Sequence, residues 1–209
     1  MGADRLDWIF DGESSSSLED RYDAWAASYD ADHDEWGWRG PGLVAAATLR
    51  HLGRSRRDDT IIDAGCGTGK AGIALRNVGW TGRIVGLDFS QGMLDQAATF
   101  GVYDELIKCS LYDIELPDAV ACAVVSSGVF THGHVGGEAL GELCRVTSPD
   151  GFVTLTRRVD LADFAQHVEA LRVDGRWEEI ERSEPERLHP DHNDTEQFVV
   201  TWQVRRPER

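Results

Sequence analysis

The stretch TIIDAGCGTGKAG, Thr60 to Gly72, decides the reading of this chain. Thr60, Ile61 and Ile62 have the β-branched character of a buried parallel strand, and Asp63 closes it with an acid. Gly65, Gly67 and Gly69 then remove the side chains that would hold a ligand away from the backbone. A helix starting near Gly69 points its free N–H groups and the positive end of its dipole at a bound carboxylate or phosphate. The segment therefore reads as a nucleoside-cofactor loop.

Three cofactor classes use such a loop. A P-loop closes with Lys and then Ser or Thr, whose hydroxyl holds Mg²⁺; here Gly69 and Lys70 are in place, but Ala71 has no hydroxyl and Ala64 stands at the leading glycine. A dinucleotide fingerprint can be read as Gly67, Gly69 and Gly72, with Asp88 as the ribose acid. The third reading uses more residues: Asp63 ends one strand, Gly65, Gly67 and Gly69 form GxGxG, and Asp88 ends a second strand, GRIVGLD.

Outside the loop, strands and helices alternate. Helical patterns cover Leu18 to Tyr29 and Pro41 to Leu52, and a helix follows the glycines to about Val78. Ser90 can cap a helix carrying Met93, Leu94 and Ala97. Short strands are expected near Leu106 to Ser110, Ala119 to Ser126 and Phe152 to Thr156, with a helix from about Gly137 to Val146. The C-terminal third adds an amphipathic helix through Leu161, Phe164, Val168 and Leu171, then strands at Trp177 to Arg182 and Phe198 to Val204. This order predicts one α/β domain built on a parallel, doubly wound sheet, its last two strands antiparallel neighbours. Residues 1–17 read as a flexible arm ending in a serine run, with Leu6, Trp8, Ile9 and Phe10 able to fold back as an apolar patch.

The 209 residues suffice for one well-buried domain and leave no room for a separate substrate domain of the dehydrogenase kind. With 37 acids against 21 Lys plus Arg the formal charge is −16, which repels polyanions, so neither nucleic acid nor an anionic membrane is an expected partner. Lys70 and Lys108 are the only lysines. The four cysteines show no CxxC spacing and read as small core residues of a protein kept in a reducing, cytoplasmic compartment. No secretory leader and no apolar run near twenty residues is present in the sequence given.

The two-strand motif resembles class I S-adenosylmethionine-dependent methyltransferases, and further segments extend the likeness over roughly residues 20 to 160. YDAWAASYD, Tyr22 to Asp30, is similar to the N-terminal lid helix of small-molecule methyltransferases, so residues 18–52 are expected to form a helical lid. DFSQGMLDQA, from Asp88, resembles the ribose acid and the helix under the adenine, and SPDG resembles the turn before strand five. With SSGVFTHGHV, Ser126 to Val135, the chain looks most like the Williams–Beuren syndrome region methyltransferase-like branch.

The resemblance implies a single Rossmann-like domain, a mostly parallel seven-stranded sheet with an antiparallel C-terminal strand, helices on both faces and S-adenosylmethionine as cofactor. It places the cofactor against Asp63, Gly65, Cys66, Gly67 and Gly69 of the loop, Asp88 and Phe89 after strand two, and Met93. Tyr22 and Tyr29 of the lid and Ser127 after strand four complete that set. In LYDIELP the family's adenine-binding acid falls on Tyr112, leaving Asp113 or the local backbone to hold the adenine amine.

Methyl transfer from a sulfonium requires alignment and exclusion of water, and no metal. Ligands of open α/β sheets lie beyond the carboxyl ends of the strands, so the loops after strands four and five should face a small-molecule acceptor, or less readily a protein side chain. His132 or His134 is the candidate general base, with Phe130 beside them; Arg157 or Arg158 can bind an acceptor carboxylate. Trp36, Trp38 and Arg39 can wall an aromatic or cationic acceptor. The pairs His132/His134 and His189/His192 would suit a metal only if they converged with a carboxylate. The rival classes are an NAD(P)-dependent oxidoreductase and a non-catalytic cofactor sensor.

Overall fold

The computed structural model describes residues 17–53, 56, 59–161, 164–192 and 195–205. The arm expected over the first residues lies outside these, except for Ser17. That serine caps helix α1 (Leu18–Glu35): its Oγ accepts from Asp20 N–H at 3.1 Å while the Asp20 carboxylate accepts from Ser17 N–H, a reciprocal capping box. Helix α2 (Gly40–Leu52) follows, with Pro41 in its first turn.

Strands β1 (Thr60–Ala64), β2 (Arg83–Asp88), β3 (Glu105–Lys108), β4 (Ala121–Phe130) and β5 (Thr147–Arg158) pair in parallel in the order 3-2-1-4-5. Helices α3 (Lys70–Asn77), α4 (Gln91–Thr99) and α5 (Leu140–Val146) connect them, and α6 (Phe164–Val173) precedes the last part of the sheet. There β6 (Trp177–Arg182) and a two-residue β7 (Glu186–Arg187) pair with β8 (Glu196–Val204), which runs antiparallel beside β5. The sheet thus has eight strands among the described residues, the extra one being the short β7, which the sequence pattern is too brief to reveal. SPDG does not precede β5 as expected. It forms a bulge inside it, with Asp150 at φ +64° and the register against β4 shifting between Ala121 and Ala123.

The period-2 alternation of the strands sorts the core onto both faces. Ile62, Val85 and Val124 pack on one side with Leu140 and Leu143 of α5; Ile61, Ile84 and Val125 pack on the other with Ala45 of α2 and Leu75 of α3. Each fully buried Ile contributes roughly 1.5–3 kcal/mol relative to exposure. Both faces are covered because α3, α4 and α5 lie in the crossovers β1–β2, β2–β3 and β4–β5 and α2 packs before β1, while β3 reaches β4 through a loop; the carboxyl ends of β1, β2 and β4 stay open as a crevice where the strand order reverses.

Helix α1 closes over that crevice. Asp23 accepts from Ser90 Oγ–H at 2.5 Å and from Gly92 N–H at 2.9 Å, tying the lid to the first turn of α4. The only two lysines of the chain both reach it: Lys70 Nζ lies 2.6 Å from Asp34 and Lys108 Nζ 2.6 Å from Glu19.

Candidate cofactor and acceptor site

A cavity of about 350 Å³ lies at the crevice, in the size range of pockets for nucleoside-sized ligands. Its wall holds Gly65 and Gly67 after β1, Asp88 and Phe89 after β2, Met93 of α4, Ser127 after the core of β4, and Tyr22 and Tyr29 of the lid. Tyr112 stands half-exposed at the rim, its hydroxyl accepting from Gly136 N–H at 2.8 Å. These nine residues, expected from the sequence, converge in space.

The loop owes its path to specific bonds. Gly65 and Cys66 N–H both donate to Leu87 O, at 2.8 and 2.9 Å, so the loop turns back over β2. Gly65 (φ +72°) has no room for a side chain, since a Cβ there would come 2.2 Å from Val129. Gly67 (φ +51°) differs: nothing lies within 4 Å of the point its Cβ would occupy, so its bare backbone borders open space. Its N–H donates to Asp88 Oδ2 at 2.8 Å, and Ser90 N–H to Asp88 Oδ1 at 2.9 Å. Burial pushes the Asp88 pKa up to about 6 against the pull of these backbone N–H groups.

Other expected residues lie elsewhere. Asp63 is fully buried beneath the loop, accepting from Tyr103 O–H at 2.6 Å, and burial pushes its pKa up to about 7; it does not line the cavity. Gly69 (φ +101°) packs against Tyr103 and Ala97, and Cys66 borders only a small side pocket at the loop. Asp113 bridges back to Ser110 outside the wall, so of the pair considered for the adenine only Tyr112 reaches it.

A second cavity of about 80 Å³ adjoins the first under α1, and Tyr22, Tyr29, Gly128 and His134 belong to both walls. Trp36 and Trp38 line it with His33 and His189, the indole of Trp38 lying parallel to the His189 ring at 5.5 Å. His134 stands at the junction. Its Nε2 lies 2.6 Å from Tyr22 Oη and its Nδ1 against Thr131 Oγ1, and burial holds its pKa down at about 4. Burial likewise holds His189 at about 4 and His33 at about 3.

Four residues expected at the acceptor site are placed differently. His132 is exposed on the outside of the same loop, 3.3 Å from Asp160. Phe130 is fully buried edge-on to Phe164, because the tenth residue of β4 still alternates into the core. The Arg157 guanidinium sits over Phe164 at 5.0 Å and Phe198 at 5.9 Å, on the opposite face of β5 from Arg158. Arg39 is exposed, pairing with Glu186 at 2.7 Å and donating to Arg187 O, so it braces β7 instead of facing a ligand. His33, His189 and Gln197 of the second cavity were not expected as site residues. Among the described residues no group of three His, Cys, Asp or Glu is placed to hold a metal, and His189 and His192 pack on Trp38 and Trp36 instead.

Open backbone at Gly67, the buried acid at the end of β2, and a Ser127 Oγ buried without a hydrogen-bond partner all suit an adenosyl ligand lying along the loop. Residues 62–155 match the family described as Methyltransferase domain. The chain is 36% identical over 152 residues to human Methyltransferase-like protein 27, covering 72% of this chain and 61% of that protein. Among solved structures, a TehB-like SAM-dependent methyltransferase from Corynebacterium glutamicum superposes with a TM-score of 0.64 at 21% identity, covering 87% of this chain and 99% of that one. A chain of the complex between the Haloferax volcanii Trm112 methyltransferase activator and a methyltransferase gives 0.70 at 19%, covering 92% and 100%. The fold, the loop and these likenesses make the chain similar to class I S-adenosylmethionine-dependent methyltransferases, with the methyltransferase domain matched over residues 62–155. The chain spans about three fifths of the length of the human relative.

Proposed function

We propose that this chain transfers the methyl group of S-adenosylmethionine to a small molecule held in the second cavity. The observation that supports the reading is the shared wall: Tyr22, Tyr29, Gly128 and His134 border both cavities, so a cofactor in the larger would adjoin an acceptor in the smaller. Asp88 would hold the ribose hydroxyls, Gly65 and Gly67 the chain leading to the sulfur, and Met93 and Tyr112 the adenine. When bound, the cofactor supplies a sulfonium-activated methyl. The acceptor held beside it would take that methyl on a lone pair, leaving the sulfur its electron pair as a neutral thioether, while the acceptor's proton would pass to water.

The chain's own contribution is alignment and dryness. Helix α1 roofs both cavities, with Trp25 and Trp36 almost fully buried beneath it. His134 is neutral at physiological pH because burial disfavours its charged form, so its ring, fixed between Tyr22 Oη and Thr131 Oγ1, serves to orient the acceptor and is a weak base. The formal charge of −16 supports an acceptor other than nucleic acid, and the four free cysteines suit a reducing, cytoplasmic location. No helix among the described residues is long and apolar enough to cross a membrane.

Tritium-labelled S-adenosylmethionine, incubated with the protein and a size-fractionated metabolite extract, tests the reading. Label in a low-mass product supports it. Label confined to macromolecules would overturn the small-molecule acceptor, and cofactor binding without any transfer would make the protein a sensor.

A further inference from the structure

The second cavity reads more specifically than "acceptor site". Its walls are aromatic and imidazole rings: Trp36 and His33 are almost fully buried, and Tyr29 stacks on His33 at 3.9 Å between centroids. None of its lining residues is a carboxylate. The one formal charge, Arg158, is already held by both oxygens of Asp160 at 2.8 and 2.9 Å. An anionic acceptor would find no unpaired cation there, and an ammonium would find no counter-ion, so either would lose its hydration without compensation.

Three polar atoms of its lining are left over, among them the Trp38 indole N–H, buried without an acceptor. Gln197, at the start of β8, is 5% exposed, and its Oε1 has no hydrogen-bond partner. His189 Nε2 is also buried without one. A buried acceptor atom without a donor destabilises a fold, which tolerates it where a ligand completes the bond. The carboxamide oxygen of Gln197 requires an N–H or O–H from that ligand. At about 80 Å³ the cavity admits a five- or six-membered ring and little more.

Resting on the methyltransferase reading, we propose that the acceptor is a compound whose reacting end is a small uncharged ring bearing an N–H or O–H, stacked among Trp36, Trp38 and His189, with that group donating to Gln197 Oε1. The ring selects by shape and neutrality, and Gln197 fixes which edge faces inward. Gln197 is then a specificity residue at the acceptor, remote from the cofactor wall: it borders only the second cavity.

The test is fragment binding to the full chain, read by indole fluorescence and by ligand-observed NMR in the presence and absence of S-adenosylhomocysteine. The probes are imidazole at pH 8, phenol, benzoate and benzylamine. Saturable binding of imidazole or phenol, at least tenfold tighter than benzoate and benzylamine, is expected, and whichever of the two binds more tightly tells N–H from O–H. Gln197→Leu should weaken that fragment about tenfold, and Gln197→Asn should weaken it less, while homocysteine-derivative affinity is unchanged in both. Equal or tighter binding of a charged probe, no binding of either ring, or an unaltered affinity in Gln197→Leu would each overturn the proposal. Should S-adenosylhomocysteine fail to bind while the rings bind, the methyltransferase reading fails and the ring pocket stands.

Discussion

Replacing Asp88 by Asn perturbs the cofactor site with the least change of shape. Each carboxylate oxygen already accepts one backbone N–H, from Gly67 at 2.8 Å and from Ser90 at 2.9 Å, and keeps a further lone pair for a ribose hydroxyl. In Asn one of those oxygens becomes an NH₂ that must face a backbone donor, and the other loses its charge. Bonds to charged groups are worth about 1.5–3 kcal/mol and neutral ones about half that, so one bond lost and one weakened amount to about 2–4 kcal/mol, or roughly 30- to 1000-fold in Kd. The pH dependence follows from the same group. With the Asp88 pKa pushed up to about 6 by burial, the wild type should bind S-adenosylhomocysteine more tightly as pH rises from about 5 to about 7, and Asp88→Asn should lose that slope. Isothermal titration at both ends of the range, with circular dichroism to confirm the fold, reads both effects. A variant that binds within about threefold of the wild type at pH 8 would refute the ribose assignment.

The two loop glycines should separate binding from folding. Gly67→Val, whose side chain enters open space, should abolish cofactor binding with a loss of stability near the ~1–2 kcal/mol cost of its positive φ, while Gly65→Ala, 2.2 Å from Val129, should unfold at clearly lower temperature; thermal melts with and without ligand distinguish them. Tyr103→Phe removes the donor to Asp63 and the acceptor for Gly72 N–H, and should cost about 1–3 kcal/mol in denaturant titration; a neutral result would contradict the buried network. Burial holds His33 near 3 and His134 and His189 near 4, so below about pH 6.5 the unfolded chain takes up protons that the folded one refuses; their contribution is complete above that pH and is lost as pH falls towards 4, opposed by Asp63, whose raised pKa favours the fold on the acid side of 7. His33→Phe should therefore show a shallower drop in melting temperature between pH 7 and 4.5 than the wild type, and an equally steep one would count against the buried neutral imidazole. Lys70→Met should speed hydrogen exchange over residues 18–35, and high salt should do the same to the wild type, while global stability changes by no more than about 1 kcal/mol; exchange as slow as in the wild type would mean that the ion pair does not hold the lid.

The cofactor half of the site was legible because its parts are local. A strand, three glycines and an acid at the end of the next strand are a contiguous pattern with one physical reading, and the alternation of Ile61 and Ile62 between the two core faces is the pattern of a sheet covered on both sides. The second cavity, the proposed acceptor site, was not, for two reasons. Neighbours in sequence take opposite sides: Gly133, at φ +74°, turns the loop so that His134 faces Tyr22 while His132 faces Asp160, and β5 sends Arg157 and Arg158 to different faces. And the second cavity is assembled from His33 of the lid helix, His189 of the segment between β7 and β8, and Gln197, which the antiparallel placement of β8 beside β5 brings under the lid. Asp63 shows the converse. Its place after β1 suggested a ligand contact, but the strand's alternation points it at Tyr103 beneath the loop.

The measurement that bears most directly on the account is a crystal structure of the chain grown with S-adenosylhomocysteine. The account predicts the ribose hydroxyls on Asp88, the thioether over Gly65 and Gly67, and its sulfur directed at the wall formed by Tyr22, Tyr29 and His134. A ligand bound elsewhere, or a groove that closes over Gly67 and excludes it, would contradict the account.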